Sequence, residues 1–150
     1  RLRGAVAAVE AACERMVREA GGRRMDNAEA RADWAACREL RLPFFTAPDP
    51  ALALWRLTVP QTAPVLDLPY PMFIEWHGGQ RWLWAPPAAA ADIRRVAAAA
   101  GGHALLFRAP ADGAPGVPRF DAPAPAVAAI TRRLREAFDP AGIFSPSRMD

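Results

Sequence analysis

Met72-Phe73-Ile74-Glu75-Trp76-His77-Gly78-Gly79-Gln80-Arg81-Trp82-Leu83-Trp84 sets two aromatic-rich runs on either side of a glycine pair. Aromatic and aliphatic runs of this length favour strands, and glycine supplies the positive φ that a tight reversal needs. The stretch therefore predicts a β-hairpin, with strands over 72–76 and 81–84 and a turn at 77–80. On its N-terminal side, residues 53–59 alternate, with Trp55, Leu57 and Val59 on one side and Leu54, Arg56 and Thr58 on the other. Such alternation predicts a half-buried strand, which Pro60 closes. Residues 64–71 form a proline-punctuated connection. On the C-terminal side, Pro86-Pro87 breaks the hairpin, an alanine-rich helix follows over 88–100 with Ile93 and Val96 inward, and Gly101-Gly102 leads into a strand over 103–108.

Farther out the pattern turns helical. Val6, Val9, Cys13, Met16 and Val17 recur at three- and four-residue spacings and predict a helix over 5–20, stopped by Gly21-Gly22. A short strand is expected at 23–25, then a helix capped by Asp26 or Asn27 and running to about Leu40, with Trp34 and Cys37 inward. Residues 44–50 read as loop. Residues 110–118, with Asp112-Gly113 and Pro115-Gly116, read as the most mobile loop. A last helix over 125–138 is expected to bury Val127, Ile130, Leu134 and Phe138, and the tail to be extended. Helices and strands in this order predict an α+β domain, an antiparallel sheet with helices packed on one face. The expected arrangement is a ferredoxin-like split βαβ, possibly duplicated.

Composition narrows the function classes. The chain has 150 residues, 52% of them hydrophobic, enough for one compact domain over 1–150. It opens on Arg1 and enters a helical pattern almost at once, which reads as a fragment of something longer. All 19 basic residues are arginine, spread along the chain among 16 acids, so the net charge of +3 describes a solvated surface and not a nucleic-acid footprint. Cys13 and Cys37 lie in helical patterns without metal-ligand spacing, and read as reduced, buried thiols of a cytoplasmic protein. No apolar run spans a bilayer. No glycine-rich phosphate loop stands at a strand-to-helix junction, and no His/Cys/carboxylate cluster has metal spacing, so no local motif for FAD, NAD or a metal is expected.

The chemistry-bearing residues are the arginines and aromatics of the predicted sheet. Trp55-Arg56, Trp76-His77 and Arg81-Trp82 put cations beside large flat side chains on adjoining strands. A guanidinium grips a carboxylate with two hydrogen bonds, and aromatic walls exclude the water that would weaken the contact. The candidate ligand residues are Arg56, Trp76, Arg81, Trp82, His103 and Arg108. The alternative is a subunit-docking module, whose exposed Trp and Phe patches bind a sister protein without touching a ligand.

The end of the chain, Phe138-Asp139-Pro140-Ala141-Gly142-Ile143-Phe144-Ser145-Pro146-Ser147-Arg148-Met149, resembles the terminal signature of FAD-linked oxidases related to vanillyl-alcohol oxidase. Arg41-Leu42-Pro43-Phe44-Phe45, Leu54-Trp55-Arg56-Leu57, the hairpin from Glu75 to Leu83, and Gly101-Gly102-His103-Ala104-Leu105-Leu106-Phe107-Arg108 resemble the C-terminal part of FAD-binding subunits E of glycolate oxidases. The resemblance implies a C-terminal cap domain, with an N-terminal FAD-binding domain outside this sequence. FAD is then a cofactor of the longer subunit and not of this fragment, no metal is bound, and the isolated domain is not catalytic. It also implies partners: a second flavin-type subunit and an iron–sulfur subunit, in a complex oxidising glycolate to glyoxylate at the inner face of the membrane. Another FAD-linked 2-hydroxy-acid dehydrogenase is the alternative parent. Ser145, Pro146 and Arg148 are implied to lie near the flavin. The family's Asn-Pro-Gly is Ser145-Pro146-Ser147 here, which removes a side-chain amide and a flexible glycine.

Overall fold

The computed structural model describes residues 2–144. The chain divides into two compact units, one ending at Thr46 and one beginning at Ala47. The first unit holds helices α1 (Val6–Ala20) and α2 (Asn27–Arg38) and a single 3-10 turn at Pro43–Phe45. Asp26 caps α2 by accepting from the backbone N–H groups of Ala28 (2.7 Å) and Glu29 (3.3 Å), which have no partner inside the helix. Residues 23–25 are not a strand. Arg23 instead pairs with Glu29 at 3.1 Å and Arg24 with Glu10, so charged contacts along the two helices replace sheet pairing. Trp34, expected inward, is half exposed, and neither α1 nor α2 buries a residue.

The second unit contains one four-stranded sheet: β1 (Ala53–Thr58), β2 (Met72–Glu75), β3 (Gln80–Ala85) and β4 (His103–Arg108). Its order is β2-β3-β1-β4, and every neighbouring pair is antiparallel. Helix α3 (Ala90–Ala99) carries the chain from β3 over the sheet to β4, with β1 lying between them. That is the expected split βαβ unit. No second copy of it occurs among the described residues, and the proline-rich segment 59–71 joins β1 to β2 without a helix.

Trp55 and Leu57 of β1, Leu83 of β3, Ala104 and Leu106 of β4, and Ile93 and Ala97 of α3 form the core. Complete burial of side chains such as Trp55, Leu57, Leu83 and Ile93 stabilises the fold by about 1.5–3 kcal/mol each before entropy is counted. The end of α3 must lie almost against β1. A Cβ on Gly102 would stand 2.1 Å from the Thr58 carbonyl oxygen, so only glycine fits there. The loop at 110–118 is without helix or strand, yet Ala114 and Val117 pack against the core.

Two further expectations change. β1 is buried on both sides at its start, because Leu54 lies opposite Trp84 on the second face and is fully buried too. Helix α4 (Pro125–Phe138) has the expected limits, but Val127, Ile130, Leu134 and Phe138 are all more than half exposed and the helix buries no residue.

The candidate functional site

The pleat of β1 and β3 sorts the candidate residues onto two faces. Arg81 stands opposite Leu57, and both belong to the core face with Trp55 and Leu83. It is 2% exposed, and its guanidinium is committed: Nε donates to the Gly78 carbonyl (3.1 Å), Nη1 to Pro64 (2.6 Å) and Nη2 to Ala63 (2.7 Å). These contacts tie the 60–64 segment and the hairpin turn to the sheet. Arg81 is thereby separated from the other candidates, and its function in the fold is to satisfy three carbonyl groups.

The opposite face gathers Arg56 of β1, Trp82 and Trp84 of β3 and, at β4, Phe107 and Arg108. A bulge makes this possible. Trp55 pairs with Leu106 while Leu54 pairs with Arg108, so β4 holds one extra residue, Phe107. The Phe107 ring meets Trp82 edge-on at 5.0 Å, the Arg56 guanidinium carbon lies 5.9 Å from the Phe107 centroid, and that of Arg108 lies 6.0 Å from the centroid of a Trp84 ring. Each cation is braced by the electron-rich face of a ring. Arg56 Nε is fully buried and has no hydrogen-bond acceptor among the described residues. A buried N–H without an acceptor is costly, which sets Arg56 apart from Arg81, whose donors are all answered by carbonyls.

Glu75 anchors the outer side of this face. Its Oε2 accepts from the Trp82 indole N–H (2.7 Å) and from the Gln80 side-chain amide (3.2 Å). The carboxylate therefore fixes the Trp82 ring against which Phe107 packs. Neither Glu75, Trp84 nor Phe107 was among the sequence candidates. Glu75 and Trp84 flank the aromatic runs and were detectable as neighbours of Trp76 and Trp82; the bulge that recruits Phe107 has no sequence signal.

Trp76 and His103 are elsewhere. Trp76 is 71% exposed at the hairpin turn, where it and His77 both adopt left-handed backbone angles (φ 52° and 54°). His103 opens β4, exposed, opposite Thr58. On the outer edge of β4, Ala104 N–H donates to Asp121 (3.0 Å) and Leu106 N–H to the Arg119 carbonyl (2.9 Å), so a returning segment covers that edge. Arg94 of α3 makes an ion pair with Asp121 at 2.5 Å, although its Nε–H is not aligned as a hydrogen bond, and it also lies 5.8 Å from a Trp55 ring centroid. Ser145, Pro146 and Arg148 lie outside the described residues.

Elsewhere, a shallow concavity in the first unit is lined by Glu10, Cys13, Val17 and Arg24. Its Glu10 carboxyl is held below the usual range by the hydrogen bond and charge of Arg24, so the pair satisfies itself. Cys13 and Cys37 share no disulfide, and both are half-buried where buried thiols were expected. Among the described residues no three His, Cys, Asp or Glu side chains form a metal-binding group, and no helix is long and apolar enough to cross a membrane.

Over 116 residues, 77% of its length, the chain is 40% identical to glycolate oxidase subunit GlcE of Escherichia coli (strain K12). The chain is a GlcE-like protein. It spans about 30% of the length of that relative. No family profile matches the chain, and no solved structure matches it.

Proposed function

We propose that this chain is the C-terminal cap domain of the FAD-binding subunit of a glycolate oxidase, and that its second sheet face contributes to holding the substrate carboxylate. The observation that carries the reading is the 40% identity to a GlcE subunit more than three times as long as the matched region, together with the unanswered Arg56 Nε. The remainder of the longer protein is then the flavin-binding part, and this fragment binds no FAD and turns nothing over alone. No glycine-rich strand-to-helix loop stands within the sheet and α3: Gly78-Gly79 belongs to the hairpin turn, and Gly101-Gly102 follows a helix.

When bound, the flavin supplies the acceptor for the hydride leaving the hydroxy-acid carbon. The residues of this chain supply the surroundings. Arg56 and Arg108 offer N–H groups to a carboxylate. Phe107, Trp82 and Trp84 exclude water beside them, which strengthens each charged contact, and Glu75 keeps the Trp82 ring in place. Arg81 holds the hairpin and takes no part in binding. Ser145, Pro146 and Arg148 are proposed near the flavin, His103 at the rim. The remaining subunits of the complex, one flavin-type and one iron–sulfur, take the electrons onward at the inner, cytoplasmic face of the membrane.

The subunit-docking alternative draws support from one observation: Trp76 is 71% exposed on a turn braced by Arg81. An Arg56→Met substitution in the longer subunit separates the two. The cap reading expects normal FAD content and normal assembly with KM for glycolate raised roughly tenfold or more, the loss of one charge-assisted contact. Unchanged KM in an assembled complex, or stoichiometric FAD on the chain alone, contradicts it.

A further inference from the structure

Three- and four-residue spacings put Val127, Ile130, Leu134 and Phe138 on one face of α4. Their exposures are 53%, 57%, 53% and 83%. The half-buried positions of the helix are Ala128, Ala129 and Arg135, so α4 shows solvent the face that a packed helix hides. The chain past the helix closes into a turn. Asp139 accepts from the backbone N–H of Ile143 (3.0 Å) and of Phe144 (2.9 Å), and Gly142 N–H donates to the Asp139 carbonyl (3.0 Å). That carboxylate-closed turn fixes the backbone from which Ile143 and Phe144 project, 74% and 72% exposed. Six large apolar side chains are thus exposed on the helix and the turn that follows it.

We propose that the α4 stripe and the Asp139 turn are an intramolecular docking face, covered by the flavin-binding part of the longer subunit. The proposal depends on the cap-domain reading above. Two observations choose this occupant. The matched relative is mostly outside these residues, since the chain spans 30% of it, and a covalently attached segment is present at a high effective concentration. The stripe itself carries no charge, since Arg132, Arg133 and Arg135 of α4 all lie off it, so a protein surface can cover it without desolvating an ion.

The test compares backbone amide hydrogen exchange over residues 125–144 in the longer subunit and in this chain alone. The expected result is exchange slowed by roughly tenfold or more in the longer protein. A Leu134→Glu, Phe138→Glu double variant of the longer protein should restore fast exchange, whereas Arg132→Ser should leave it slow. Equal exchange in both proteins overturns the proposal. So does protection that appears in the chain alone with rising concentration, marking a second copy, or only with phosphatidylglycerol vesicles, marking a membrane. The visible flavin spectrum of the same sample reports on the functional reading separately. Flavin present with α4 unprotected refutes the docking face alone. Flavin absent with α4 protected refutes the flavin assignment and leaves an intramolecular interface.

Discussion

Helices α3 and α4 have the same kind of apolar periodicity and opposite fates. α3 lays Ile93 and Ala97 against the sheet with no exposed surface, while α4 leaves Val127, Ile130, Leu134 and Phe138 in solvent. α1 and α2 resemble α4 in burying nothing. Periodicity states which face of a helix is fit for burial; it does not state whether the surface that buries it belongs to the same stretch of chain. In α3 the cover is Trp55, Leu57, Leu83 and Leu106, brought under the helix by the β3–α3–β4 crossover. In α4 it is proposed to be supplied from outside these residues.

The largest effect that sharpens this contrast comes from paired truncations. Trp55→Ala removes a fully buried side chain from the core and should cost about 3–5 kcal/mol, read from the urea midpoint of the chain. Leu134→Ala in the same chain should shift that midpoint by less than about 0.5 kcal/mol, because its side chain is exposed. Comparable losses from the two would erase the distinction between the helices.

Arg81→Met comes next. It leaves the Gly78, Pro64 and Ala63 carbonyls without their donor, and a cost of about 1–3 kcal/mol is expected for buried groups left unsatisfied. A change confined to the exposed surface would instead be neutral. Tryptophan fluorescence should shift with it, as the turn carrying Trp76 loosens.

These residues also show how much was legible beforehand. The strands β1, β3 and β4 and the limits of α3 and α4 follow from alternation, periodicity and proline or glycine punctuation, all local signals. The Arg56 and Arg108 positions were readable as cations among aromatics. What brings them together was not: the Phe107 bulge depends on pairing between β1 and β4, more than forty residues apart. The inward turn of Arg81 was hidden for a similar reason. An arginine is ordinarily exposed, and the carbonyls that permit its burial lie 17 and 18 residues away in sequence. At the hairpin, the Gly78-Gly79 pair pointed to glycine as the source of the positive φ in the turn. The chain instead places Trp76, His77 and Gly78 there, with Gly79 at φ −78°.

A smaller effect probes the helices that bury nothing. Asp26 has its carboxyl below the usual range, first because it accepts from Ala28 N–H and then from Glu29 N–H. A depressed folded-state value means the cap is in force above the unfolded carboxylate range and is lost as pH falls through the folded value. Acidification should therefore reduce the helical signal at 222 nm from α2. Asp26→Asn should retain a cap and lose that acid dependence; an identical acid titration in the variant would assign the effect to other groups.

Amide hydrogen exchange of the chain by itself tests most directly whether it contains one self-sufficient core beside helices that lack cover. The expected result is slowest exchange in β1, β3 and α3, with α1, α2 and α4 exchanging nearly as fast as unstructured peptide. Protection of α1 or α4 equal to that of β1, in dilute solution and without added partner, would contradict it.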